Sequence, residues 1–114
     1  MSAFIDLTEA AEMTRTFRGI KETILGTAYQ NLKILPICET FDAAQVQDML
    51  SNNGCVELRV YFGMDTSKKI SAILVGVDSE GKDMLPENDD TGNFILERGV
   101  RCPDICPPTS PLNS

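Results

Sequence analysis

The chain contains no histidine. Ser-His-Asp and Cys-His catalysis, His-ligated metal centres and imidazole pH switches are therefore excluded within a single copy. Any catalysis has to use carboxylates, Cys, Lys, Arg or Tyr. Basic charge is also scarce. Ten Lys and Arg stand against 17 Asp and Glu, a net charge of −7, and no basic cluster exceeds the pair Lys68-Lys69. A surface of that sign repels phosphate, so neither nucleic acid nor an anionic membrane is expected as a partner. Long apolar runs are missing too: the longest, Ala72 to Val77, is far too short to span a bilayer. The N-terminus has no basic n-region and meets acid at Asp6 and Glu9. It does not read as a secretory signal, which leads to a cytoplasmic protein with reduced thiols.

What is present describes an ordinary globule. With 114 residues, 42% apolar and 24% charged, the chain suits one domain that buries roughly two thirds of its unfolded surface. We place that domain at residues 1–100. Residues 101–114 form a Pro/Cys-rich tail with four of the six prolines, unsuited to helix or inner strand. Such a tail is ordinarily disordered. Its apolar Ile105 and Leu112, with stiff prolines between, suit it to dock on the domain or on a neighbouring subunit.

The clearest local pattern is a hairpin. From Cys55 to Phe62 the chain alternates, with Val56, Leu58, Val60 and Phe62 on one side and Cys55, Glu57, Arg59 and Tyr61 on the other. That period of two predicts a strand with its apolar side in a core. Ile70–Val77 is apolar on both faces and predicts an inner strand. The polar link 63–69 has hairpin length, so the two should pair antiparallel. A further short strand is predicted at Phe94–Glu97, and Met84-Leu85 can begin another before Pro86 interrupts it.

Two helices flank these strands. Residues 7 to about 25 carry Ala10, Met13, Phe17, Ile20 and Ile24 at helical spacing, behind an Asp6/Glu9 capping pair. Gly19 sits inside this helix, which suggests that something packs closely there. A second, shorter helix follows Asp42, where Asp42 with Gln45 has capping-box form and Val46, Met49 and Leu50 face inward. Asn52-Asn53-Gly54 ends it. Ile34–Cys38 is extended around Pro36. The whole reads as α+β: two helices on one face of an antiparallel sheet of three to five strands.

Candidate chemistry is thin. Arg15 and Arg18 lie three apart on one helix face and can grip a carboxylate or phosphate, but Arg18 with Glu22 equally makes an ordinary surface ion pair. Glu57, Arg59 and Tyr61 project from the side of their strand opposite the core, and if Ile73, Val75 and Val77 of the inner strand lie beside them the second sheet face is mixed and partly apolar. That mixed face calls for a cover: the tail, the 34–38 segment or a second copy of the chain. Cys102-Pro-Asp-Ile-Cys106 has a three-residue spacer, unlike the C-x-x-C of redox enzymes. Structural zinc would need Cys38 and Cys55 to complete four ligands, and a disulfide is open to a turned segment. Two thiols packed beneath the tail are the plainest reading. The acidic loop 86–93 lacks the EF-hand order and reads as solvated rather than calcium-binding. No cofactor and no metal is expected.

Three stretches, Ile34-Leu-Pro-Ile-Cys-Glu-Thr-Phe-Asp42, Tyr61-Phe-Gly-Met-Asp65 and the ending Arg101-Cys-Pro…Cys-Pro-Pro…Ser-Pro-Leu-Asn-Ser114, resemble a group of small uncharacterised bacterial proteins over nearly the whole chain. The resemblance implies a bacterial cytoplasmic setting and brings no activity, substrate or catalytic residue. Members tend to read Cys-Pro-Pro near the end, so Asp104 is a departure.

The sequence thus leads to a non-catalytic interaction or small-ligand-binding module, homodimeric through a sheet face or edge. The rival is a small enzyme or anion-binding protein in which Arg15, Arg18, Glu39, Arg59, Tyr61 and Asp65 converge on one pocket. A third reading is a thiol sensor built on Cys102 and Cys106.

Overall fold

The computed structural model describes residues 3–87 and 92–114. Among them are two α-helices, a short 3-10 turn at Thr27–Tyr29, and five strands in two sheets, an α+β fold. The helices are α1 (Leu7–Ile20) and α2 (Ala43–Leu50). The strands are β1 (Cys38–Thr40), β2 (Glu57–Met64), β3 (Ile70–Val77), β4 (Ile95–Leu96) and β5 (Val100–Cys102). β1 pairs with β5, and the other sheet has the order β2-β3-β4. The chain divides into two compact units, Met1–Cys38 with Arg101–Ser114, and Glu39–Val100.

In the first unit, α1 starts where its sequence says it should. The Asp6 carboxylate accepts the Glu9 N–H at 2.8 Å, satisfying one of the free donors of the first turn. The helix stops sooner than its apolar period, which runs to Ile24. After Lys21 N–H closes on Phe17 O, Leu25 N–H reaches Glu22 O, a tighter turn, and the Thr23 hydroxyl bonds the Ile20 carbonyl. The expected inner stripe is also corrected: Ala11 is the buried residue of α1, while Met13 and Ile20 are exposed, as is Ile24 beyond its end. This unit contains only the ends of β1 and β5, so a wide apolar stripe has little sheet to lie against.

Gly19 does not mark a close approach either, since a Cβ there would meet nothing within 4 Å. Its only local effect is the entropic weakness of glycine in a helix interior. Gly19→Ala is therefore expected to stabilise the protein by about 0.5–1 kcal/mol, read as a raised midpoint in chemical denaturation. A lowered midpoint would mean that the site is more crowded than its geometry allows.

The C-terminal stretch of this unit is tied down at several points. Arg101 donates to the carbonyls of Lys33 and Ile34, both at 3.1 Å, and Ile37 N–H bonds Cys102 O at 2.8 Å. Arg18 reaches the carbonyl oxygens of Leu112 and Ser114. Asn113 folds the end on itself, accepting from Ser110 N–H and donating to Pro108 O.

In the second unit, Asp42 caps α2 through Gln45 N–H at 3.1 Å, as the capping-box spacing predicts. β2 and β3 pair antiparallel with Glu57 opposite Val77 and Met64 opposite Ile70. The link is closed by the Asp65 carboxylate, which accepts the N–H groups of Ser67 and Lys69 at 2.8 and 2.9 Å. β4 joins the far edge of β3 at Leu74 and Val75. Met84 contributes one bond to Gly76 O beside a single bridge between Val77 and Asp83, not a full strand.

Residues opposite one another share a face, so the register places Leu58, Val60, Phe62, Ala72 and Leu74 on one side. Glu57, Arg59, Tyr61, Ile73, Val75 and Val77 lie on the other. The alternation of β2 holds, but its apolar side is not in a core. Leu58, Val60 and Phe62 are 46, 45 and 79% exposed, and burial concentrates instead on Leu74–Val77 of β3. The reason is width. Helix α2 packs on β3 and β4, with Met49 buried beneath it. One short helix about 10 Å across covers about two strands at a 4.8 Å spacing, which leaves β2 outside. Cys55 lies close against β3, where a Cβ on Gly76 would come within 2.8 Å of its sulfur.

Candidate functional site

The six polar residues proposed from the sequence divide between the two units. Arg15 and Arg18 belong to the first unit. Arg15 is exposed, and Arg18 is turned to the C-terminal carbonyls rather than to Glu22. Glu22 instead accepts from Asn31 N–H and Lys21, which together hold its carboxyl below the usual value. Glu39, Arg59, Tyr61 and Asp65 belong to the second unit. Asp65 is used by its own turn.

Glu39 closes an edge. Its Oε1 accepts Ala72 N–H at 2.6 Å, a β3 amide beyond the end of β4. Its Oε2 is buried and has no hydrogen-bond partner. Gly99 lies against it: a Cβ on Gly99 would be 2.9 Å from that oxygen and 2.8 Å from the Phe41 ring.

Arg59 and Tyr61 are brought together, through a residue that the sequence reading missed. Asp83 accepts from Arg59 Nη1 at 2.7 Å with one carboxylate oxygen and from the Tyr61 hydroxyl with the other. Arg59 also donates to Gly81 O at 3.3 Å. Because Asp83 bridges to Val77 on the edge of β3 away from β2, these bonds cross over β3. They lie on the face that carries Val75 and Val77, 3 and 1% exposed. The cluster therefore ties β2 to the 81–83 segment across that face. Nothing in the local sequence announces Asp83: it follows a tight turn, and only the 77–83 bridge aims it back toward β2.

The cluster shifts its members in opposite senses. The Tyr61 hydroxyl, and then Arg59, hold the Asp83 carboxyl below its usual value. Asp83 in turn raises the Tyr61 phenol and the Arg59 guanidinium. A depressed Asp83 contributes stability that is present above the unfolded value of 3.8 and lost as pH falls through the lower folded value. A raised Tyr61 contributes stability that is present below 10.0 and lost as pH rises through its folded value. In a Tyr29→Phe background, Asp83→Asn is expected to lower the pH at which the phenolate absorbance of Tyr61 appears. An unchanged titration would show that Asp83 does not bind Tyr61 in solution.

A small half-open cavity of about 210 Å³ lies beside α2, lined by Met49, Ile95 and Leu96 with Gln45, Asp48 and Asn93 at its rim. Asn93 is fastened there by Asn52 and by the Asp48 carbonyl. No cluster of metal-ligating side chains occurs among the described residues. The calcium reading of loop 86–93 falls largely on residues 88–91, outside the described residues. Cys102 and Cys106 form a disulfide, where the sequence reading favoured two thiols; Cys38 and Cys55 are free. Among the described residues no helix is long and apolar enough to cross a membrane.

β2 also has a free edge among the described residues. Asp65 N–H bonds Lys69 O, one step beyond the Met64–Ile70 pair. Hydrogen-bonded pairs alternate along an antiparallel ladder, so Glu57, Arg59, Tyr61 and Gly63 turn their N–H and C=O groups toward β3. Leu58, Val60, Phe62 and Met64 then turn theirs outward, where β2 has no neighbouring strand among the described residues. Those same four residues carry the exposed apolar side chains. No family model matches the chain, and no curated protein or solved structure shows a significant match to it.

Proposed function

We propose that the protein is a non-catalytic interaction module of the bacterial cytoplasm that works as a homodimer, with β2 of one copy paired antiparallel to β2 of the other. The observation that supports this is the eight-residue edge strand, whose outward backbone groups have no strand partner among the described residues and whose apolar row is exposed. Long, apolar edges are otherwise an aggregation hazard, and β2 has no proline to blunt its own. Charge selects the register. A two-fold centred on Val60 opposes Val60 with the partner's Val60, Leu58 with the partner's Phe62 and Glu57 with the partner's Gly63. Moving the centre to Tyr61 sets Glu57 against the partner's Asp65, and moving it to Arg59 sets the two Arg59 side chains against each other, a like-charge contact either way. Each apolar cross-strand pair adds about 0.2–1 kcal/mol to the backbone bonds.

The enzyme or anion-pocket reading has less to rest on. Arg18, Glu39, Arg59, Tyr61 and Asp65 are each already bonded within their own unit. Light scattering over a concentration series tests the dimer: a mass twice the 12.5 kDa of the chain is expected. Phe62→Lys should shift that mass toward the monomer. A wild-type monomer at every concentration up to the solubility limit overturns the reading.

A further inference from the structure

We propose that the Cys102–Cys106 disulfide is a thiol–disulfide exchange site that is opened by dithiols, with attack directed to the sulfur of Cys106. This stands apart from the dimer, since it uses only residues of the first unit. The two halves of the bridge are unlike. Cys102 is 2% exposed, whereas Cys106 is exposed among the exposed residues 104–109. Cys102 is also held in place: its carbonyl accepts Ile37 N–H, and Arg101 beside it is bonded to the carbonyls of Lys33 and Ile34. The loop between the cysteines is fastened by the Lys33–Asp104 ion pair and by Ile105 N–H on Arg101 O.

Exchange requires a thiolate to approach one sulfur with the other as leaving group, and access decides which sulfur is attacked. Burial closes Cys102, so the incoming thiolate bonds to Cys106 Sγ while the Cys102–Cys106 bond breaks. Cys102 leaves as a thiolate and takes up a proton. The second thiol of the dithiol then attacks its own sulfur in the mixed disulfide and releases Cys106. One dithiol is oxidised to a disulfide and one disulfide is reduced to two thiols, so two electrons and two protons are transferred.

Opening removes one fastening on the last residues. With the bridge cut, residues 106–114 are held through Arg18 and its bonds to Leu112 and Ser114. The bridge is thus the fastening that a thiol can reach and Arg18 the one that it cannot.

The experiment treats the native, air-oxidised protein with reduced glutathione, quenches with N-ethylmaleimide and maps each cysteine by tandem mass spectrometry. Glutathione is expected on Cys106 at least tenfold more often than on Cys102, with maleimide on Cys102. Dithiothreitol should give maleimide on both, and the 106–114 segment should then be cut faster by protease in Arg18→Ala than in the parent. Three results would overturn the proposal: glutathione chiefly on Cys102, a bridge that glutathione opens only in urea, or thiols at both positions in the oxidised protein.

Discussion

Gly99→Ala is expected to lower the unfolding free energy of the protein by about 1–3 kcal/mol, the usual cost of forcing an extra methyl group into filled space. A Cβ at this position would stand 2.8 and 3.0 Å from Phe41 ring carbons and 2.9 Å from Glu39 Oε2. Neither neighbour is free to swing away. The Glu39 carboxylate is held by Ala72 N–H through its other oxygen, and moving it would leave that strand amide unpaired. The Phe41 ring is half-buried next to it. The loss should appear as a lower denaturation midpoint with unchanged helix content. Amide exchange at Ala72 should accelerate more than at Leu74, because the Glu39 contact is the first to give. A variant as stable as the parent would mean that Phe41 and Glu39 are not packed on Gly99 in solution.

The second large effect concerns association. Val60→Pro is expected to weaken the proposed dimer about 100-fold or more while leaving the hairpin folded. Proline removes the N–H of residue 60, and the ladder phase directs that N–H outward, so no β2–β3 bond is lost. The residue before a proline is pushed toward extended backbone, which Arg59 already has in β2, and proline is tolerated on edge strands. At a two-fold centred on Val60 one substitution deletes two hydrogen bonds and leaves two carbonyls facing proline rings. At about 0.5–1.5 kcal/mol for each bond, with the cost of the orphaned carbonyls added, the total is on the order of 3 kcal/mol. That corresponds to roughly a 100-fold change in dissociation constant. Sedimentation of the parent and the variant at matched concentrations reads the change, and circular dichroism checks the fold. A proline variant as tightly associated as the parent would move the interface off the β2 edge.

Much of the secondary structure was legible because its causes are local. Asp6 and Asp42 cap the two helices by the three-residue reach of a side chain. The alternation of residues 55–62 and the short polar link gave the hairpin, and the unbroken apolar run gave the inner strand β3. The candidate site was far less legible. Arg59 and Tyr61 were correctly set on one face, but their partner Asp83 lies beyond a turn, and its aim depends on the bridge to Val77. Arg18 was matched with the nearest acid along its helix, whereas its partners are 94 and 96 residues away.

The chain by itself determined periods and caps: which residues are helical, which alternate, and that consecutive side chains of β2 take opposite faces. Only the tertiary structure decided which face is covered. An alternating strand is apolar on one side whether or not a helix lies there, and α2 is too narrow to reach from β4 to β2. The exposed row at Leu58, Val60 and Phe62 follows from that width and not from any residue within the strand.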